Sequence, residues 1–197
     1  MRRSGCHRPP FSASVRCGHN AADRDGAALI DASDTGSGQG GHAPITVGTM
    51  AQPRGHRVEA DGGERLRFSD AEFIVRASAD TTGGAFTIIE DDAPLDTPLH
   101  VHKNEDELWY VLEGEHIIQI GDDEFHVGPG ETVFAPRGVP HAQRRVVPRT
   151  GRFLEFFSPA GFEGFFRELA DAERTGSSMP EAYATVSEKY GITWLGQ

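Results

Sequence analysis

Cysteine is nearly missing from this chain of 197 residues: there are two, Cys6 and Cys17, and both lie near the N-terminus. The region that carries its histidine cluster is thiol-free, which excludes a disulfide framework and any cysteine-ligated zinc or iron–sulfur site there. Long apolar runs are missing too. No stretch approaches the roughly 20 residues of a membrane span, and the early arginines Arg2 and Arg3 are not followed by the apolar run of a secretory signal. Positive charge is scarce, with 19 Lys and Arg against 30 Asp and Glu and a formal net charge of -11. A phosphate-backbone surface needs clustered basic residues, so nucleic acid is not an expected partner. Together these absences lead to the expectation of a cytoplasmic protein with no membrane partner.

What is present divides the chain. Residues 1–49 are rich in Gly, Ser, Ala, Asp and Arg, with GSGQGG at 36–41 and almost no apolar periodicity. Such a segment cannot bury enough surface to offset its ordering entropy, so it is expected to be a disordered extension. Met50 then opens a stretch that reads as an ordinary start, which makes a misassigned initiator the other explanation. From about Leu66 short apolar segments alternate with Gly, Pro and Asp turns, the pattern of an all-β sandwich or barrel. The expected strands are 73–77, 85–90, 99–102, 107–113, 116–121, 124–127, 132–135, 142–147 and 153–158. After Pro159 the period changes: Phe162, Phe165, Phe166 and Leu169 recur at helical spacing, predicting a helix over 161–174 that packs against a sheet. A second helix is expected over 180–190. The organisation is therefore an N-terminal extension (1–49), a β-barrel (50–160) and a C-terminal helical extension (161–197).

Within the barrel, His100 and His102 are two residues apart. On a strand such residues share a face, so two imidazoles stand side by side and call for a cation. Glu107 adds a carboxylate and His141 a third imidazole. An N3O set of this kind holds one divalent transition metal ion (Fe, Mn, Ni, Co or Zn) with coordination positions left open for chemistry.

These residues also carry a family resemblance. His100-Val-His102, a four-residue gap to Glu107 and six more residues to Gly114 resemble the first motif of the cupin superfamily. Gly130, then Pro136-Arg-Gly138 and His141, resemble the second. Pro94 stands where the first motif commonly opens with glycine, and Arg145 where the second commonly ends in asparagine; neither is a ligand position. The resemblance implies a double-stranded β-helix, the cupin jelly-roll barrel, with the metal held by His100, His102, Glu107 and His141. Glu107 is preferred to Glu105 and Asp106 because it meets the family spacing and continues into the apolar strand; the other two are expected on a solvated loop edge. His116 and His126 match no motif position and are expected at the surface.

The run from His100 through Tyr110, Glu113 and Gly114 is similar to that of bacterial quercetinase-like proteins. This implies a dioxygenase acting on a flavonol-like small molecule, with dioxygen as co-substrate and Glu107 serving as both ligand and general base. Trp109, Phe134, Gln143, Phe153 and Phe157 are the residues that alternation could turn inward as a substrate pocket. A metal-dependent sugar isomerase or epimerase, or a barrel that binds a small molecule without turnover, is the alternative. An isomerase would need polar partners that these Phe- and Ile-rich strands offer only at Arg144 and Arg145. A homodimer formed through barrel edges is the expected assembly.

Overall fold

The structure is a computed structural model that describes residues 54–92, 95–147 and 150–196. The extension expected over 1–49 lies outside the described residues. Eleven strands and three helices are found among those described. In chain order they are β1 (Glu64–Phe68), β2 (Ala71–Ala77), α1 (Ala79–Thr82), β3 (Thr87–Asp92), β4 (Thr97–His102), β5 (Asp106–Glu113), β6 (His116–Ile120), β7 (Asp123–Val127), β8 (Thr132–Ala135), β9 (His141–Arg145), β10 (Arg152–Ser158), α2 (Glu163–Arg174), α3 (Met179–Tyr190) and β11 (Ile192–Trp194).

The strands form two antiparallel sheets. One has six strands in the order β1-β2-β3-β10-β5-β8; the other has five in the order β11-β4-β9-β6-β7. Non-consecutive neighbours such as β4 and β9, or β5 and β10, mark chain crossings between the sheets. Alternation decides what faces inward. In β5 the buried residues are Glu107, Trp109 and Val111, and in β10 they are Phe153, Glu155 and Phe157. The inward residues of β4 include His100 and His102, and those of β9 are His141 and Gln143.

Two apolar clusters fill the molecule. Trp109, Val111, Ile118, Val133 and Phe153 make one. The other joins Phe68 and Phe73 of the first sheet and Phe157 to Phe162, Phe166 and Leu169 of the C-terminal segment. The aromatic stripe of α2 thus packs against strands, as its period requires. α3 runs back over the same cluster and ends at Gly191, which adopts φ 73°. That left-handed turn feeds β11, which pairs with β4 so that Ile192 lies opposite His102 and Trp194 opposite His100.

Two motif glycines work through their backbones. Gly114, at φ 80°, turns β5 into β6, and a Cβ there would lie 2.6 Å from Gly151 Cα. Gly138 donates its N–H to the carbonyl of His102 at 2.8 Å, tying the loop before His141 to the strand of the first two histidines.

Candidate metal centre and its cavity

His100 and His102 project from β4, His141 from the adjacent β9, and Glu107 from β5 in the opposite sheet. β4 and β9 place His100 directly across from His141. All four side chains are buried, and one ligand atom from each lies within 4.8 Å of all the others. His100 Nε2 is 3.1 Å from His102 Nε2. Glu107 Oε2 is 3.4 Å from His102 Nε2 and 3.2 Å from His141 Nε2.

The outward nitrogens are fixed by the backbone. His100 Nδ1 lies 2.8 Å from the Pro98 carbonyl and His141 Nδ1 2.9 Å from the Val139 carbonyl. A carbonyl only accepts, so each Nδ1 carries the proton and each Nε2 lone pair points to the centre. Burial, reinforced by the neighbouring His141 and His102, depresses His100 to a pKa of about 3, so it presents a neutral ring. Burial alone would push His141 down, but the facing Glu107 carboxylate outweighs it and the pKa is raised. Burial pushes Glu107 up, whereas His141 and the other two imidazoles pull it below its ordinary value.

These residues fit a metal ion. Ligands about 2.1 Å from one ion lie about 3.0 Å apart at right angles and about 3.4 Å apart at the tetrahedral angle. The His100–His102, His102–Glu107 and His141–Glu107 separations fall in that interval. Glu107 Oε2 and His141 Nε2 are buried and have no well-aligned hydrogen-bond partner, as ligand atoms waiting for a cation would be.

Residues 90–157 match a family model described as a cupin domain. The fold is a cupin fold. In sequence, the chain is 36% identical over 45 residues to an uncharacterised protein of Methanocaldococcus jannaschii, a match covering 23% of this chain and 36% of that protein. The chain therefore spans about a third of the curated relative it matches. Among solved structures, KdgF from Halomonas sp. is 16% identical with a TM-score of 0.49, covering 56% of this chain and 99% of that one. An RmlC-like cupin from Shewanella frigidimarina is 20% identical with a TM-score of 0.47, covering 57% and 98%.

Beside the candidate centre lies a cavity of about 470 Å³. His100 and His102 form part of its wall, with Phe73, Phe157, Phe162, Tyr183 and Trp194 among the aromatic lining. Trp194 sits with its ring centroid 5.0 Å from that of His100, and Phe162 4.6 Å from that of His102. The C-terminal helices and β11 thus supply cavity wall as well as packing.

Of the five expected pocket residues, Phe157 lines this cavity. Trp109 and Phe153 are buried in the other apolar cluster, Trp109 with its ring 5.6 Å from His141 and Phe153 against His116. Gln143 is buried and donates through Nε2 to the Leu95 carbonyl. Phe134 does not turn inward: it is 53% exposed, because Val133 and Ala135 on either side of it take the inward positions of β8. Two further expectations are corrected. His116 is fully buried, its ring edge-on to Phe153 at 5.0 Å, whereas His126 is exposed as expected. Glu105 is buried with an oxygen 3.7 Å from His102 Nδ1, while Asp106 is half-buried and ion-paired with Arg137.

The sequence reading also passed over two acids in the cavity wall, Asp91 of β3 and Glu155 of β10. Burial drives both carboxyls well above the usual carboxylate range. Glu155 is raised further by Glu107 and Asp91, and the Trp109 indole N–H offsets part of this. Arg145 partly offsets the effect at Asp91. Glu155 stands at an inward register of the apolar strand RFLEFFS, where alternation is a signal for it; Asp91 lies in the acidic run Glu90-Asp91-Asp92, where Glu90 is buried as well and alternation does not single it out.

Proposed function

We propose that this protein is a metal-dependent cupin enzyme that oxygenates a flat aromatic, flavonol-like molecule held in the cavity beside His100 and His102. The observation that carries the reading is the convergence of three Nε2 atoms and one carboxylate oxygen at the end of an aromatic-walled cavity. His100, His102, Glu107 and His141 would hold the ion. A divalent ion there supplies Lewis acidity toward a substrate hydroxyl or carbonyl. The chain's own contributions follow from its geometry. Phe157, Phe162 and Trp194 offer faces and edges between which an aromatic ring can lie. Their apolar surface excludes water from the reacting ring. Glu107 Oε2 lies at the buried centre with no well-aligned hydrogen-bond partner, and as a carboxylate beside the ion it would accept the proton of a substrate hydroxyl. The Pro98 and Val139 carbonyls keep His100 and His141 from rotating as that proton moves.

The test is metal analysis of the purified full-length protein together with oxygen uptake on a panel of flavonols and catechol-like aromatics. The expected result is one bound transition metal per chain and oxygen consumption that His100→Ala and His141→Ala abolish. Metal content unchanged in both variants would sink the site, and oxygen-independent turnover of a sugar would replace this reading with an isomerase.

A further inference from the structure

We infer that Asp91 and Glu155 form the specificity pair of the cavity, accepting hydrogen bonds from hydroxyl groups on the part of an aromatic substrate that lies away from the metal ligands. This rests on the reading that the cavity holds the substrate of the metal centre.

Both side chains line the same cavity as His100 and His102, and both are more than nine-tenths buried. Asp91 lies opposite Phe153 and Glu155 opposite Ile89 in the β3–β10 register, so the two carboxyls are diagonal neighbours on one face of the sheet. Among the described residues, Asp91 Oδ1 and Glu155 Oε2 are buried without a hydrogen-bond partner. The Trp109 indole N–H is the donor near Glu155, but it makes no well-aligned hydrogen bond and is itself without a partner, and the Arg145 guanidinium is engaged with Asp96 at 3.1 Å.

A buried acceptor without a donor costs free energy, and two in one wall amount to a polar subsite in an otherwise aromatic cavity. Ionised or protonated, each carboxyl keeps acceptor lone pairs. The group that completes them is a donor. A cationic amine is disfavoured, because Arg145 already places positive charge beside Asp91 and the histidine cluster is built for a dication close by. Neutral ring hydroxyls remain: they donate, they are flat with the ring, and they carry no charge into the cavity.

The test compares two flavonols with the same metal-binding head: quercetin, whose pendant ring is a catechol, and galangin, in which that ring is bare. Binding to the metal-loaded full-length protein is measured by calorimetry, with a naphthol against naphthalene as a second pair. We expect quercetin to bind wild type about ten- to a hundredfold more tightly than galangin. In Asp91→Val/Glu155→Met, which keeps volume but removes the acceptors, the ratio is expected to fall to near one. A ratio near one in wild type, or a ratio preserved in the variant, would overturn the pair as the recognition element. Should the double variant not fold, either single substitution is expected to lose part of the ratio, and an unchanged ratio in both overturns it. If neither flavonol binds the metal-loaded wild type, the flavonol reading above fails, and the naphthol pair decides the role of Asp91 and Glu155 by the same two criteria.

Discussion

His116 and His141 are both fully buried imidazoles, and their surroundings give them opposite duties. His141 has its Nδ1 on a backbone carbonyl and its Nε2 facing Glu107, so its lone pair is available at the centre. His116 has its Nε2 3.3 Å from the Glu113 carbonyl and its ring against Phe153, and burial lowers its pKa, so it fills space as a neutral ring. His141→Ala should therefore abolish stoichiometric metal while leaving a folded barrel. His116→Ala should keep the metal but cost about 1–3 kcal/mol of stability through the void it leaves. Elemental analysis and urea melts on the two variants check both halves. The motif spacing made the four ligands legible in the sequence: His100 and His102 share a strand face by alternation, while Glu107 and His141 fall at the spacing of the two resembled motifs. It could not reveal His116, whose strand begins straight after a glycine turn and whose inward facing is set by pairing with β7 and β9. Glu105 was misread for a related reason: the turn at Lys103-Asn104 breaks the alternation, so burial there depends on how the loop folds back over His102.

At the scale of elements, strand interiors were legible and the short joining pieces were not. β11 has three residues and no period of its own; it exists because β4 offers an edge and α3 delivers the chain to it. α1 has four residues, closed by Ser78 and Gly83, too few for any helical stripe. α2 was predicted from its aromatic spacing, but the sequence did not show how its first turn is anchored. Glu163 is buried there and accepts from the Ala79 N–H at 2.8 Å, the Gly161 N–H at 3.0 Å and the Thr87 hydroxyl. It thereby joins α2 to α1 and β3. Burial pushes this carboxyl up, but the hydrogen bonds outweigh it and hold the pKa below its ordinary value of 4.5. A depressed acid stabilises the fold above its unfolded pKa and loses that contribution as pH falls through the folded one. Glu163→Gln should thus lower stability by about 1–3 kcal/mol at neutral pH. The difference from wild type should begin to shrink below the ordinary value of 4.5. Urea melts of both proteins across that range read the sign; a difference that grows on acidification would contradict the assignment.

At the scale of the whole molecule, the candidate centre joins the two sheets. His100, His102 and His141 stand on the five-stranded sheet and Glu107 on the six-stranded one, so an ion held by all four is shared between them. Opening the barrel would break that sharing, and the unfolded chain keeps no such site. Any ligand bound by the folded form alone stabilises it by mass action, by about 2.7 kcal/mol when free metal is a hundred times its Kd. For a domain of this size each kcal/mol is worth about 2–4 °C, so saturation should raise Tm by about 5–10 °C. A chelator should return the melt to its starting point. The two-sheet arrangement adds a sharper expectation. Glu107→Ala leaves three imidazoles on one sheet, which can still take up metal but no longer link it to the other. That variant should bind metal with reduced affinity and, at the same free metal concentration, gain less in Tm than wild type. His116→Ala, away from the centre, should melt earlier overall yet keep the full metal-dependent rise. Calorimetric scans of the three proteins with and without metal decide it. An equal rise in wild type and Glu107→Ala would mean that the ion sits on the five-stranded sheet alone and that the opposite carboxylate serves the substrate rather than the fold.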